Sequence, residues 1–345
     1  MAEFIGLDVS KEETSFCVMD KAGSILSSGK ALSDPDALFQ ALKETTLCPE
    51  RIVLETGTLS NWLARGLREY GLPIDIIDAR QAHAVMKLQH NKTDANDARL
   101  LAEIARTGFC RAVSISSEKA QQKRILLKSR QHLIRLRRDT ENAVRGLLGA
   151  LGIRFPKGSG KLLKRVRTAL QGKSDLSAMI EPLLDTIENA RLQTDRLDDQ
   201  VLQHAEQSQK VRLLMGVPGV GPLTALGFVA TIDDAGRFKK SRNVGAYVGL
   251  TSRRYQSGEM DYSGRISKKG DAMLRSFLFE AANSLLTCVR KAHPLKDWAR
   301  RLRKRSSHKK ACVALARKLA VIMHKMLITG EPFRWPEKKM ETIMA

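Results

Sequence analysis

The chain has 345 residues, 59 of them Lys or Arg against 37 Asp or Glu, which gives a formal net charge of +22 at pH 7 and an isoelectric point of about 10.0. Apolar residues make up 43%, enough to bury real cores, so wholesale disorder is excluded. At roughly 100–200 residues per domain, the length predicts two or three domains. No apolar run approaches the roughly 18 residues of a membrane-spanning helix, and the acidic start Met1-Ala2-Glu3-Phe4 lacks the pattern of a secretory signal. The five cysteines are scattered and form no Cys-x-x-Cys pair. Composition thus predicts a cytoplasmic protein with no membrane partner, no disulfide framework, no cysteine zinc site and a polyanionic partner.

Residues 4–9 and 14–19 read as strands, with Lys21-Ala22-Gly23 as the following turn and 24–28 as a third strand. Asp34-Pro35-Asp36 caps a helix whose inward face carries Leu38, Leu42 and Phe39. Residues 51–55 form a buried strand running into Thr56-Gly57. Residues 60–70 are helical, with Trp62, Leu63 and Leu67 on one side and Gly71 at the end. A strand follows at 73–77 and a helix at 94–106, with Ala98, Leu101 and Ile104 inward. Three strands, helix, strand, helix, strand, helix is the order of the ribonuclease H-like fold, which is a prior for nucleic-acid chemistry and not proof of it.

From residue 116 the character changes. Leu126, Ser129, Leu133, Leu136, Thr140, Ala143 and Leu147 step by three and four, as do Ile180, Leu183, Ile187, Ala190, Thr194, Leu197 and Val201. Across the Gly- and Pro-containing connection at 149–172, the two seams predict an antiparallel helical hairpin or coiled coil. Its first helix is basic, with Lys123, Lys128, Arg135 and Arg138 among its cations, and its second turns acidic at Asp195, Asp198 and Asp199. A cation excess on one arm suits a phosphate track, although a solvated face has the same composition. The expected fold class is multidomain α/β plus α. It comprises a ribonuclease H-like (resolvase-like) domain at 1–115, the coiled-coil hairpin at 116–210 and a mainly helical C-terminal domain at 211–345.

Asp8 ends the first strand and Glu55 ends the strand after the first helix. Those strands are neighbours in a ribonuclease H-like sheet, so the two carboxylates meet at one edge. Asp94 and Asp97, three apart at a helix start, share a face. Four converging carboxylates repel unless a cation neutralises them, and oxygen-only donors select Mg²⁺ or Mn²⁺. Such ions stabilise the attacking and leaving oxygens of a phosphate displacement. Singly, each residue has an ordinary reading: Asp94 as a helix cap, Asp97 as surface charge.

Residues 215–225, Met-Gly-Val-Pro-Gly-Val-Gly-Pro-Leu-Thr-Ala, read as a helix-hairpin-helix. Gly219 and Gly221 would let backbone N–H groups approach a phosphate, though a ligand-free helix turn has the same pattern. Further on, Ser257-Gly258 lies in a polar loop after Arg253 and Arg254, and Lys268 and Lys269 extend the basic stretch as phosphate contacts or a solvated face. An accessible serine flanked by cations can attack a phosphate. On chemistry alone Ser252, Ser263 and Ser267 stand beside it as candidates.

Together these segments resemble the DEDD-type insertion-sequence transposases, the bridge-RNA-guided serine recombinases related to pilin-gene invertases. The resemblance is carried by Ile5-Gly6-Leu7-Asp8-Val9-Ser10-Lys11, Glu55-Thr56-Gly57, Asn91-Lys92-Thr93-Asp94-Ala95-Asn96-Asp97-Ala98-Arg99, Pro218-Gly219-Val220-Gly221, and Gly249-Leu250-Thr251 through Ser257-Gly258. It implies that Asp8, Glu55, Asp94 and Asp97 are the metal-binding carboxylates of a Holliday-junction-resolvase-like domain and that Ser257 is the nucleophile of a C-terminal transposase domain. It implies a composite site shared between protomers of a homo-oligomer, a dimer or tetramer, with a structured noncoding RNA specifying donor and target DNA. The expected activity is DNA cleavage and rejoining through a 5′-phosphoserine with Mg²⁺ assistance. The alternatives are a metal-dependent junction nuclease, in which water attacks, and a non-enzymatic nucleic-acid-binding scaffold. Clustered carboxylates argue against the scaffold, because negative charge near phosphate serves no purpose there.

Overall fold

The computed structural model describes residues 2–46, 48–87, 91–156, 158 and 160–335. The last ten residues of the expected C-terminal domain, and residues 157 and 159 of the expected connection, lie outside that set. The chain divides into two compact units, residues 1–116 and 117–345.

The first unit contains β1 (Glu3–Val9), β2 (Glu13–Asp20), β3 (Ile25–Leu32), α1 (Pro35–Thr45), β4 (Pro49–Glu55), α2 (Ser60–Glu69), β5 (Ile74–Ile77), α3 (Ala79–Met86), α4 (Asp94–Thr107) and β6 (Ala112–Val113). The strands form one mixed sheet in the order β3-β2-β1-β4-β5-β6. The β1–β4 and β4–β5 pairs are parallel, while β1–β2, β2–β3 and β5–β6 are antiparallel. This is the mixed α/β sheet expected of a ribonuclease H-like domain. Helix α3 and strand β6 have no counterpart in the sequence-based expectation: α3 follows only one residue after β5, and β6 is two residues long.

Strand alternation sorts the core. Ile5, Leu7, Ile52, Leu54, Ile74 and Ile76 pack on one face with Leu38, Leu42, Leu63 and Leu67 of α1 and α2. Phe4, Val53 and Ile77 pack on the other with Ala82 of α3 and Leu101, Ile104 and Ala105 of α4. Gly6 belongs to this second face. A Cβ there would collide with the Ala98 carbonyl oxygen and the Ala102 N–H, and would lie 2.7 Å from the Leu101 carbonyl carbon. The absent side chain is what lets α4 lie directly on β1.

The second unit contains α5 (Glu118–Gly149), α6 (Leu162–Ala169), α7 (Ser174–Gln207), α8 (Gln209–Met215), α9 (Pro222–Ile232), α10 (Arg242–Tyr247), a hairpin of β7 (Ser252–Ser257) and β8 (Met260–Ile266), then α11 (Ala272–Thr287), α12 (Pro294–Arg305) and α13 (His308–Thr329). It is largely helical. Helices α5 and α7 pack along their length in opposite directions, with Arg130 paired to Asp198 near one end and Val144 and Leu148 clustered with Ile180, Leu184 and Ile187 near the other. The base of this arm shares its core with the rest of the unit: Leu126, Leu127, Val201 and Ala205 belong to one cluster with Phe228, Leu278 and Leu315.

The expected seam of α5 holds at Leu126, which is buried, but farther along it is displaced by one residue. Its buried positions include Leu127, Glu141, Val144 and Leu148, whereas Leu136 and Leu147 are exposed. The same three-and-four stepping passes through Arg130 and Arg137. Arg130 is neutralised by Asp198, and Glu141 lies between Arg137 at 3.6 Å and Arg145 at 3.8 Å. Paired charges thus occupy positions that hydrophobic periodicity assigns to solvent. On α7 the expected Ile180, Ile187, Ala190, Thr194 and Val201 are buried, joined by Leu184 and Ala205.

Candidate catalytic site

The sheet brings Asp8 and Glu55 together. Leu7 pairs with Leu54 in parallel register, so the next residue of each strand, Asp8 and Glu55, stands side by side at the strand ends. Both alternate onto the face that carries Gly6 and Val53, and therefore face α4. That helix begins there. Thr93 is its N-cap and accepts a hydrogen bond from the Asn96 N–H at 3.2 Å. The cap role weighed for Asp94 is thereby filled by Thr93, and Asp94 is exposed in the first turn. Asp97, one turn on, is buried at 7% exposure.

Asp8 senses the other three carboxylates. Burial first, then the charges of Asp97, Asp94 and Glu55, push the Asp8 carboxyl up to about 6 from an ordinary 3.8, with Lys92 opposing. Glu55 is also raised, first by burial and then by Asp97, against the opposing charges of His83 and Lys92. Its Oε2 is buried without a hydrogen-bond partner. His83 on α3 and Lys92 are the contributors that sequence reading missed. The helix-forming run after the Asp78 cap was the available signal for α3, and Thr56 fastens that helix start to β4 through its Oγ1, which accepts from the Ala79 N–H at 3.0 Å.

This donor set fits a hard divalent cation. It is all carboxylate, the other three carboxylates raise the proton affinity of Asp8, and one buried oxygen has no partner. Among the described residues no three ligating side chains are already gathered into a metal cage. The carboxylates are electrostatically coupled without closing into a coordination shell.

In the second unit Ser257 ends β7, opposite Met260 across a two-residue turn. Gly258 takes φ +54 as the first turn residue, the position where a type II′ hairpin requires it. Ser257 is exposed, at a hairpin tip rather than in an irregular loop, and its hydroxyl has no partner among the described residues. Arg254 is held by Asp261 through two bonds of 2.8 and 2.6 Å, so much of its charge is already compensated. Arg253 donates to the Ser267 carbonyl at 3.4 Å, and Lys268 and Lys269 are exposed.

Gly219 and Gly221 differ in environment. Gly219 has φ +83, and a Cβ would strike the Ala281 carbonyl and lie 2.9 Å from the Leu285 nitrogen, so its smallness serves packing on α11. Gly221 is the N-cap of α9 and faces open space. On the arm, Lys128, Arg135 and Arg138 are exposed and Lys123 is half-buried; none has an ion-pair partner among the described residues. A Cys312–His308–Asn283 cluster resembles a nucleophile–base pair, but Cys312 and Asn283 meet the same imidazole nitrogen. Burial, and then Glu280, raises the thiol. It is a core contact.

A family profile described as a transposase of the DEDD, IS110 type matches residues 5–152, and one described as the transposase IS116/IS110/IS902 family matches residues 211–297. The Sinorhizobium fredii protein y4pF/y4sB, assigned as a transposase, is 30% identical over 300 residues, covering 85% of this chain and 77% of its own. This chain belongs to the IS110/IS1111 family of DEDD transposases. The transposase of insertion sequence element IS1111A from Coxiella burnetii is 28% identical over 341 residues, 96% of this chain and 91% of the relative. The pilin gene-inverting protein of Moraxella bovis is 24% identical over 345 residues, 96% of this chain and 97% of the relative. The protein is a DNA-processing enzyme, and the DEDD nuclease-type domain implies a divalent metal. No helix among the described residues is long and apolar enough to cross a membrane.

Proposed function

We propose that this transposase cuts and rejoins DNA through a phosphoserine formed on Ser257, with the carboxylate cluster of the first unit acting on the same phosphate. The observation that carries the reading is the coupled set Asp8, Glu55, Asp94 and Asp97, whose buried, unpartnered Glu55 Oε2 and raised Asp8 describe a site built for a counter-cation. A divalent ion held by these four, Mg²⁺ or Mn²⁺, would supply Lewis-acid polarisation of the phosphate and stabilisation of the leaving oxygen.

The chain's own groups do the rest. The Ser257 Oγ attacks phosphorus; the Oγ–P bond forms as the P–O3′ bond breaks. The serine proton is released, and the freed 3′ oxygen takes up a proton. Rejoining runs the same exchange backwards with a different 3′ hydroxyl. Arg253 and the exposed Lys268 and Lys269 offset phosphate charge. A serine hydroxyl is a weak nucleophile at neutral pH, so Ser257 must meet the carboxylate cluster. In this reading different protomers of a homo-oligomer supply the two.

The exposed arm cations Lys128, Arg135 and Arg138, with the half-buried Lys123, support a backbone grip on structured RNA, the guide in this reading. The test is denaturing electrophoresis of labelled DNA incubated with protein and RNA recovered from the native locus. A protein–DNA adduct lost in Ser257→Ala supports the serine route. Cleavage without any adduct favours the junction nuclease in which water attacks.

A further inference from the structure

The second unit holds a cavity of about 1210 Å³ between the β7–β8 hairpin and helices α12 and α13. It exceeds the roughly 300–1,000 Å³ of ordinary small-molecule pockets. Its apolar floor includes Trp298, Leu302, Val313 and Val321. Six cations surround that floor: Arg265, Lys268, Lys309, Lys310, Arg317 and Lys318, and no carboxylate lines it. Of these, Lys318 sits 4.0 Å over the Trp298 ring, and none is in an ion pair among the described residues.

The wall nearest the hairpin is strained. Lys268 takes φ 54, a left-handed conformation that a non-glycine residue adopts at a cost, between Gly249 at φ +76 and Gly270 at φ +119. Its backbone N–H is held by the Gly249 carbonyl at 3.1 Å. The 268–270 backbone presses on residues 247–249, where a Cβ on Gly249 would lie 2.9 Å from the Lys268 carbonyl carbon, and this contact fixes Lys268 on the cavity lining.

We propose that this cavity seats unpaired nucleotides of the DNA strand undergoing exchange. The family's action on DNA supplies the substrate, and the proposal rests on that and not on the role of Ser257. Duplex DNA offers a protein its phosphates and base edges, while its base faces are stacked away. An apolar floor containing an indole, ringed by unpaired cations, matches the faces and phosphates of bases that have left the stack. Strand exchange requires such unpairing. Ser252 and Ser263 line the same cavity, so the hairpin forms one wall of the strand's path.

The test is equilibrium binding of the full-length protein to a fully paired DNA duplex and to the same duplex with a short unpaired gap carrying 2-aminopurine. Wild type is expected to bind the gapped DNA more tightly and quench the probe. Trp298→Leu, which keeps apolar packing, should lose about tenfold on gapped DNA and little on paired DNA. Trp298→Phe should restore most of the difference. Should Trp298→Leu fail to fold, the surface double variant Lys309→Gln, Lys310→Gln decides: it should weaken gapped binding and lower its salt slope. Equal binding of the two DNAs by wild type overturns the proposal, as does a gap preference that survives these variants. A ribonucleotide gap bound more tightly than the DNA gap, with the same Trp298 dependence, overturns the assignment to DNA. The readout is binding without cleavage, so it stands apart from the adduct assay.

Discussion

Gly6 of β1 and Ala98 of α4 approach so closely that no side chain fits between the strand and the helix carbonyl. This contact sets the height at which α4 lies on the sheet. Asp97 precedes Ala98 and Asp8 lies two residues beyond Gly6, so the same approach brings the two carboxylates within electrostatic reach. Gly6→Ala should push α4 outward and destabilise the protein by about 3 kcal/mol, the upper range of overpacking. Chemical denaturation measures the loss. DNA cleavage should fall further than the folded fraction does, since the carboxylates would also separate. A variant with wild-type stability would mean that the helix shifts freely.

Asp8→Asn should abolish cleavage and stabilise the metal-free protein at neutral pH. The Asp8 carboxyl is raised in the folded state from 3.8 to about 6. Stability linked to it is therefore fully present below pH 3.8 and is lost as pH rises through about 6. Asparagine carries no charge and escapes that loss. After allowance for solvent screening of a partly exposed group, the gain above pH 6 is about 1–2 kcal/mol. Thermal melts across pH 4 to pH 8 in chelator should show the variant's advantage appear as pH rises. An advantage that does not vary with pH would remove burial and carboxylate repulsion as its cause.

Replacing Lys128, Arg135 and Arg138 with Gln should weaken RNA binding and reduce its salt slope by about one unit per lost phosphate contact. Arg130 is the contrasting case, because Asp198 already neutralises it inside the arm. Arg130→Gln should cost stability and leave the slope unchanged. Binding isotherms at several salt concentrations separate the two classes, and an unchanged slope in the triple variant would mark its charges as merely solvated.

Ser257→Ala should bind RNA and DNA normally and form no covalent adduct. Mixing Ser257→Ala chains with Asp8→Asn chains should restore product, because each supplies the part that the other lacks. No recovery in the mixture, with both variants folded and oligomeric, would place serine and carboxylates on one chain. An adduct persisting in Ser257→Ala would shift the role to another serine, Ser263 first among them.

Periodicity and capping in the sequence were sufficient for β1 to β5 with α1, α2 and α4 in order, though not for α3 and β6. The short apolar runs of β1 and β4 are a local property, and so is the Asp34 cap of α1. Asp8 and Glu55 could be singled out because a carboxylate at the end of an apolar run violates the local pattern, and Asp94 and Asp97 because they stand three apart at a helix start. Other features depended on tertiary contacts. The seam of α5 runs through Arg130, Arg137 and Glu141, and a buried charge becomes acceptable only when a partner elsewhere neutralises it, so periodicity chose the neighbouring stripe. The sequence marks Gly219 of the α8–α9 turn as a candidate phosphate contact, and only the tertiary structure shows that α11 presses on it. Short-range hydrophobicity reports which residues avoid water; which charges are paired, and which backbones touch, is decided by residues distant in the chain.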